Sequence, residues 1–431
     1  MRIAYIAAGA ADMICGTCLH DNALAGALLR QGHDVSLIPT YTPLKTDGAD
    51  VSIDRVFFGA LNVYLQQKVG AFRHTPAAFD RLLDSPGLIR RVAKLGASTD
   101  PTELGDLTWS MLKGEEGFQA KELARLVAWL RDDFRPEIVH LTNSMFAGFA
   151  RSLKREVGAP VVCSLQGEDL FLGQLREPWK TRSLEALRER AQDVDAFLSH
   201  SEWYAGEMAE LMAVDRSRIH VVPLGISLAG FESPAETRPA DGPVTVGYLA
   251  RICPEKGLHL LVEAVRRLEA DPAYKGKVRL RAAGWLGARD RAYLENLSGG
   301  VDYVGEVDRE GKDRFLRSLD ILSVPTTYRE PKGLFVLEAL AHGVPVVQPR
   351  HGAFPEMLAA TGGGLLVEPG SPEDLARGLA RLIDDPALRA DLGQRGREAV
   401  QRRFTAEAEA EKVLPIYQAL LAERAGERVP A

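Results

Sequence analysis

Twelve short apolar runs, each three to five residues long, punctuate the 431-residue chain, and longer amphipathic segments fill the intervals between them. A run this short with apolar residues at consecutive positions buries both of its faces. It therefore suits a parallel strand covered by helices on each side, and the amphipathic intervals supply the crossover helices. In the first half the runs are Ile3–Ala7, Val35–Pro39, Ile138–Leu141, Val161–Leu165, Ala196–Ser199 and His220–Val222. In the second they are Val244–Tyr248, Val278–Ala282, Val301–Val304, Ile321–Val324, Val344–Val347 and Gly364–Val367. The natural reading is an α/β protein with two Rossmann-like sheets. Residues Pro223 to Asp241, rich in Pro and Gly without periodicity, read as the linker between them.

The bulk properties narrow the class. A length of 431 residues suggests two or three domains, and 46% hydrophobic with 26% charged residues is ordinary for a globular protein. The net charge of −6 argues against a nucleic-acid partner. Cysteines at 15, 18, 163 and 253 are too few for a disulfide framework, so a reducing, cytoplasmic setting is expected. The N-terminal apolar run is too short for a signal peptide and reads as a first strand. No apolar stretch approaches the ~20 residues that span a bilayer. Residues 55–94 stand apart, with seven Lys or Arg against two Asp. They are expected to form a solvated helical insertion; the alternative is a surface for an anionic acceptor or a lipid headgroup, giving peripheral contact at the inner face of a membrane.

Chemistry concentrates in two segments of the second half. Arg251-Ile-Cys-Pro-Glu-Lys256 places two cations five positions apart just after an apolar run, where neither is needed for packing, and a helix is expected from near Gly257. Glu330-Pro-Lys-Gly-Leu-Phe-Val-Leu-Glu338 places two carboxylates eight positions apart across a loop-to-helix junction. Pro331 fits the first turn of that helix, since its missing N–H costs nothing there, and Glu338 then falls about two turns along. Cations neutralise phosphates, carboxylates accept from sugar hydroxyls, and free N–H groups at a helix start favour an anion. Glu338 lies in an apolar stretch, so it must have a polar partner.

Together these segments resemble the retaining glycosyltransferases of family 4, with the GT-B fold of two Rossmann-like domains facing each other across a cleft. The resemblance is strongest from Pro243 to Pro369, although Ala250 stands where the family has glycine. It implies an N-terminal acceptor domain over residues 1–225, a donor domain over 240–400, and a final helix at about 406–425 crossing back onto the first domain. The donor is then a nucleotide diphosphate sugar. Arg251 and Lys256 meet its phosphates with the backbone N–H groups of Gly333 and Leu334, Glu330 meets the sugar, and Glu338 meets the ribose hydroxyls. Gly16 matches the second glycine of the family's diphosphate loop, with Cys15 in place of the first.

On the acceptor side, His140 stands at a strand end, where the resemblance puts a histidine near the sugar's reactive carbon; the second histidine of the family's pair is Thr142 here. Gln166 stands where relatives have histidine. His20, Asp21, Asn143 and Gln166 are expected to face the acceptor. No metal and no cofactor are expected: Asp193-Val-Asp195 has the Asp-x-Asp spacing of metal-dependent transferases but leads into a buried strand, and a single Cys15-Gly-Thr-Cys18 is weak evidence for zinc. The implied activity is retaining, metal-independent transfer to an acceptor hydroxyl by a front-face route. The alternatives are a sugar-nucleotide 2-epimerase and a non-catalytic sugar-nucleotide-binding protein. Gly9 to Gly16 lacks the spacing of a dinucleotide-binding loop, which weighs against an oxidoreductase.

Overall fold

The computed structural model describes residues 1–9, 16–46, 49–53, 55–59, 62–63, 66–67, 101–231, 242–297 and 299–426. Cys15 and most of the cation-rich stretch 55–94 lie outside them. The chain divides into two compact units, Met1–Gly225 with Ala406–Ala431, and Ile226–Thr405.

The first unit is a six-stranded sheet of β1 (Arg2–Ala7), β2 (Asp34–Pro39), β3 (Ile138–Leu141), β4 (Val161–Ser164), β5 (Ala196–Ser199) and β6 (Ile219–Val221), with helix α1 (Gly16–Arg30) after β1. All pairings are parallel, and the order is β2-β1-β3-β4-β5-β6. Strand periodicity explains why the runs are apolar throughout. Ala4, Ile6, Val139, Leu141, Val161 and Cys163 enter one core, while Ile3, Tyr5, Ala7, Ile138 and Val162 enter a second on the opposite face.

The terminal helix (Ala406–Ala425) closes that second core. Its residues Ala406, Ala410, Val413 and Tyr417 form a stripe at helical spacing and are fully buried with α1 residues Leu24 and Leu28. Burying one such large apolar side chain is worth about 1.5–3 kcal/mol. Polar groups pin the helix at two further points. Glu409 Oε1 accepts from His20 Nε2 at 2.7 Å and its Oε2 accepts from the Gly225 N–H at 2.8 Å. Two turns on, the Tyr417 hydroxyl lies 2.5 Å from His140 Nδ1.

The second unit repeats the architecture with β7 (Val244–Leu249), β8 (Val278–Ala283), β9 (Asp302–Tyr303), β10 (Ile321–Leu322), β11 (Val346–Pro349) and β12 (Gly364–Val367). The order β12-β11-β10-β7-β8-β9, all parallel, is the doubly wound dinucleotide-domain order, with its strand order reversing between β7 and β10. Helices α2 (Leu258–Ala270), α3 (Arg309–Arg317) and α4 (Leu334–Ala341) frame that point. Helix α4 starts three residues later than expected: Pro331 precedes it, and Gly333, at φ +70°, caps it. Glu338 is therefore its fifth residue rather than two turns along. Among the described residues no helix is long and apolar enough to cross a membrane.

The His20–Glu409 pair gives a pH signature. Burial alone depresses the imidazolium, but the Glu409 carboxylate and Asp21 outweigh it and raise His20 to about 9. A folded-state pKa above the unfolded value makes the stabilisation complete below about 6.5 and lost as pH rises to about 9. The melting temperature should therefore fall between pH 6.5 and 9, and His20→Gln should flatten that slope; an unchanged slope in the variant contradicts the assignment.

Candidate active site

The loops leaving β7 and β10 are the two that flank the reversal of strand order in the second unit, where open α/β sheets form their ligand sites. The β7 loop carries Arg251 and Lys256, and the β10 loop carries Glu330. Both lead into helices whose N-cap is a glycine with no side chain to offer, Gly257 for α2 and Gly333 for α4; the second N–H of α2, that of His259, donates to the Tyr293 hydroxyl at 3.0 Å. The loops touch at Gly257. It sits at φ +76°, and a Cβ there would lie 1.8 Å from the Pro325 carbonyl oxygen, so only glycine permits the approach. The Thr327 N–H donates to the Glu255 carbonyl at 2.9 Å and ties the same loops together again.

Glu330 organises this point. It is 6% exposed, and its Oε2 lies 2.6 Å from Lys256 Nζ and 2.7 Å from the Tyr328 hydroxyl. Its Oε1 accepts, at longer range, from the N–H groups of Lys332 (3.4 Å) and Gly333 (3.3 Å). Burial pushes this carboxyl up, but the Lys256 charge and the hydrogen bonds prevail and hold it at about 2. Lys256 also lies 5.1 Å from the Tyr328 ring centroid and 5.5 Å from that of Phe335. The ammonium and an amide that suit a phosphate are thus already gathered around one carboxylate. Arg251 is exposed and its Nε donates to Cys253 Sγ at 3.4 Å. Leu334 opens α4. Glu338 is buried, and the polar partner its burial requires is Lys312 of α3.

The first unit gathers a separate polar network. Asp21 Oδ1 accepts from the Tyr5 hydroxyl at 2.9 Å and from Gln166 Nε2 at 2.8 Å, and its Oδ2 accepts from the Thr142 hydroxyl at 2.6 Å. Thr142 and Gln166, the two positions that depart from the family's histidines, are therefore joined through one carboxylate. Asn143 caps the turn after β3 by accepting from the Met145 N–H. Glu168 accepts from the N–H groups of Ser144 and Gln166, and burial raises its carboxyl above the usual range. Gly16 is the first residue of α1.

Burial bears on three expected contacts. His140, the third of the four residues of β3, is fully buried, with Nδ1 at Tyr417 and Nε2 at Ser164, and burial lowers it to about 3. His20 is 1% exposed and paired with Glu409, and Asp21 is fully buried among Tyr5, Thr142 and Gln166. His20, His200 and Glu409 lie close enough to suggest metal ligands, but both Glu409 oxygens are engaged, by His20 and by the Gly225 N–H. Asp193 and Asp195 pair with Arg151 and Lys154. Lys312 was the residue sequence reasoning missed, although a signal existed: it precedes Phe315 and Leu316 by three and four positions, which places it on the helix's buried face.

Two family models match the chain, Glycosyl transferases group 1 over residues 231–399 and Glycosyl transferase 4-like domain over residues 20–225. The chain is 27% identical to the glycogen synthase of Mycobacterium tuberculosis over 79% of this chain and 82% of that one. It is 25% identical to the MMP alpha-(1->4)-mannosyltransferase of Mycolicibacterium hassiacum over 98% and 99% of the two chains. Among solved structures, sucrose-phosphate synthase from Thermosynechococcus elongatus superposes with TM-score 0.70 at 20% identity, covering 98% of this chain and all of that one. Anabaena HepE, solved in complex with UDP and glucose, gives 0.65 at 16% identity, over 97% of this chain and all of the other. The fold is GT-B and the protein is a glycosyltransferase. It belongs to the group 1 glycosyl transferases.

Removing one partner of the Lys256–Glu330 pair leaves a buried charge unanswered. Lys256→Met should cost about 3–5 kcal/mol in urea unfolding, and adding Glu330→Gln should recover part of it. A single variant as stable as the parent contradicts the described pairing.

Proposed function

We propose that this enzyme moves a glycosyl residue from a nucleotide diphosphate sugar to an acceptor hydroxyl, with retention at the anomeric carbon and without a metal. The observation that carries the reading is the convergence of Lys256, Glu330 and two helix starts behind glycine N-caps at the sheet's point of reversal. An ammonium has three N–H donors, so Lys256 can hold Glu330 and a phosphate oxygen together. Arg251 and the N–H groups of Gly333 and Leu334 supply further donors to the charge that grows on the leaving diphosphate. These groups perform the neutralisation that a divalent cation performs in other transferases. The donor class is further supported by the HepE relative, which binds UDP.

Glu330 is ionised across the physiological range, so it accepts from sugar hydroxyls and cannot act as a general acid. Its engagement by Lys256 and Tyr328 also makes it a weak nucleophile, which favours the front-face route over double displacement. In that route the anomeric carbon–oxygen bond to the diphosphate breaks while the acceptor oxygen bonds on the same face, and the acceptor proton passes to the departing phosphate oxygen. Glu338 meets the ribose hydroxyls. The acceptor is assigned to the first unit, with Asn143 and Gln166 as its candidate contacts.

The test is nucleoside diphosphate release from a panel of UDP-, GDP- and ADP-sugars with EDTA present. Release that survives EDTA and falls at least about 100-fold in Glu330→Ala, the scale of losing a site's main charged contact, is expected. Release abolished by EDTA overturns the metal-independent reading. Full activity in Glu330→Ala overturns the site.

A further inference from the structure

Lys312 is 7% exposed, a rare environment for a lysine, and in the donor unit it forms an ion pair with Glu338. The surroundings make that pairing rigid. Lys312 and Asp313, consecutive on α3, reach Glu338 on α4 and His342, the residue that caps that helix's C-terminus one turn further on. His342 Nε2 is 3.0 Å from Asp313 Oδ1, and its Nδ1 is 2.8 Å from the Glu338 carbonyl oxygen. Phe231 lids the cluster, with its ring centroid 4.7 Å from that of His342, 5.6 Å from Lys312 Nζ and 4.2 Å from the Arg309 guanidinium. Arg309 in turn donates to the Ser227 and Ala229 carbonyls, which fixes the backbone that delivers Phe231.

A buried ion pair is poor at raising stability, because an apolar pair of equal volume often does as well or better. What the pair does achieve is a fixed side-chain direction. A carboxylate offers about four acceptor positions and Lys312 uses one of them, so Glu338 remains able to accept from a ligand.

We propose that Lys312 is a positioning residue for nucleotide recognition: through its ion pair it fixes Glu338 so that the carboxylate meets the donor's ribose hydroxyls, and it thereby sets the preference for ribonucleotide over deoxynucleotide donors. The inference rests on the reading of Glu338 as the ribose contact, and the experiment separates the two. Dissociation constants for UDP, GDP and ADP, each against its 2′,3′-dideoxy counterpart, are measured by calorimetry on the full chain, and the base that binds most tightly is carried forward. The wild-type ratio of dideoxy to ribo Kd should be about 10–100, the scale of one or two hydrogen bonds to a charged group. Lys312→Met should bring the ratio to within about threefold of unity, and Lys312→Arg should restore most of it.

Both ligands are titrated into the same preparation, so a reduced folded fraction cancels from the ratio and a merely structural role leaves it unchanged. Should Lys312→Met not fold, Lys312→Gln, which is polar but too short to reach, asks the same question with the same expected loss. A variant that keeps the wild-type ratio overturns the role of Lys312 while the ribose contact stands. A wild-type ratio near unity, or no binding of any of the three nucleotides, overturns the ribose reading and this inference with it.

Discussion

The donor unit depends on one buried ion pair, Lys256 with Glu330. It joins the two loops that leave the sheet where its strand order reverses, and it does so with the charges a sugar diphosphate needs. Gly257 lets those loops meet at backbone distance, Tyr328 adds a hydroxyl to the carboxylate, and Gly333 turns the chain into α4. Such a pair is costly to bury and contributes little net stability, so its value lies in geometry. It holds a cation and an amide near the starts of two helices, ready for an anion at little reorganisation.

The first unit is governed by another arrangement of buried polar groups. Asp21 links Tyr5, Thr142 and Gln166, so the positions that differ from the usual histidines of the family form one connected set. A fully connected network of this kind resists single changes, because removing one member leaves the others unsatisfied in a dry interior. It gives the first unit a local chemistry of one carboxylate held by hydroxyl and amide donors.

Legibility followed the reach of each interaction along the chain. The strands of the first unit were readable because alternate residues feed two cores, which makes their runs largely apolar on both faces. The short strands β9 and β10 came out shorter than the apolar runs that announced them, because only two residues of each join the ladder. Arg251 and Lys256 share one segment and Glu330 and Glu338 another, so each grouping is visible in the sequence, whereas the Lys256–Glu330 contact spans 74 positions and is visible only in the structure. The burial of His20 and His140 was not legible because their partners, Glu409 and Tyr417, stand hundreds of positions away on the terminal helix, and no local pattern reports a contact of that range. Lys312 was legible in principle from its place on the apolar face of α3, but only the structure shows that Glu338 answers it.

The most direct measurement is a crystal structure of the enzyme with an unhydrolysed nucleotide sugar bound. The account predicts phosphate oxygens within hydrogen-bond distance of Lys256 Nζ and of the Gly333 and Leu334 N–H groups, with Glu330 on a sugar hydroxyl. A nucleotide seated elsewhere, with Lys256 and Glu330 touching only each other, would contradict it.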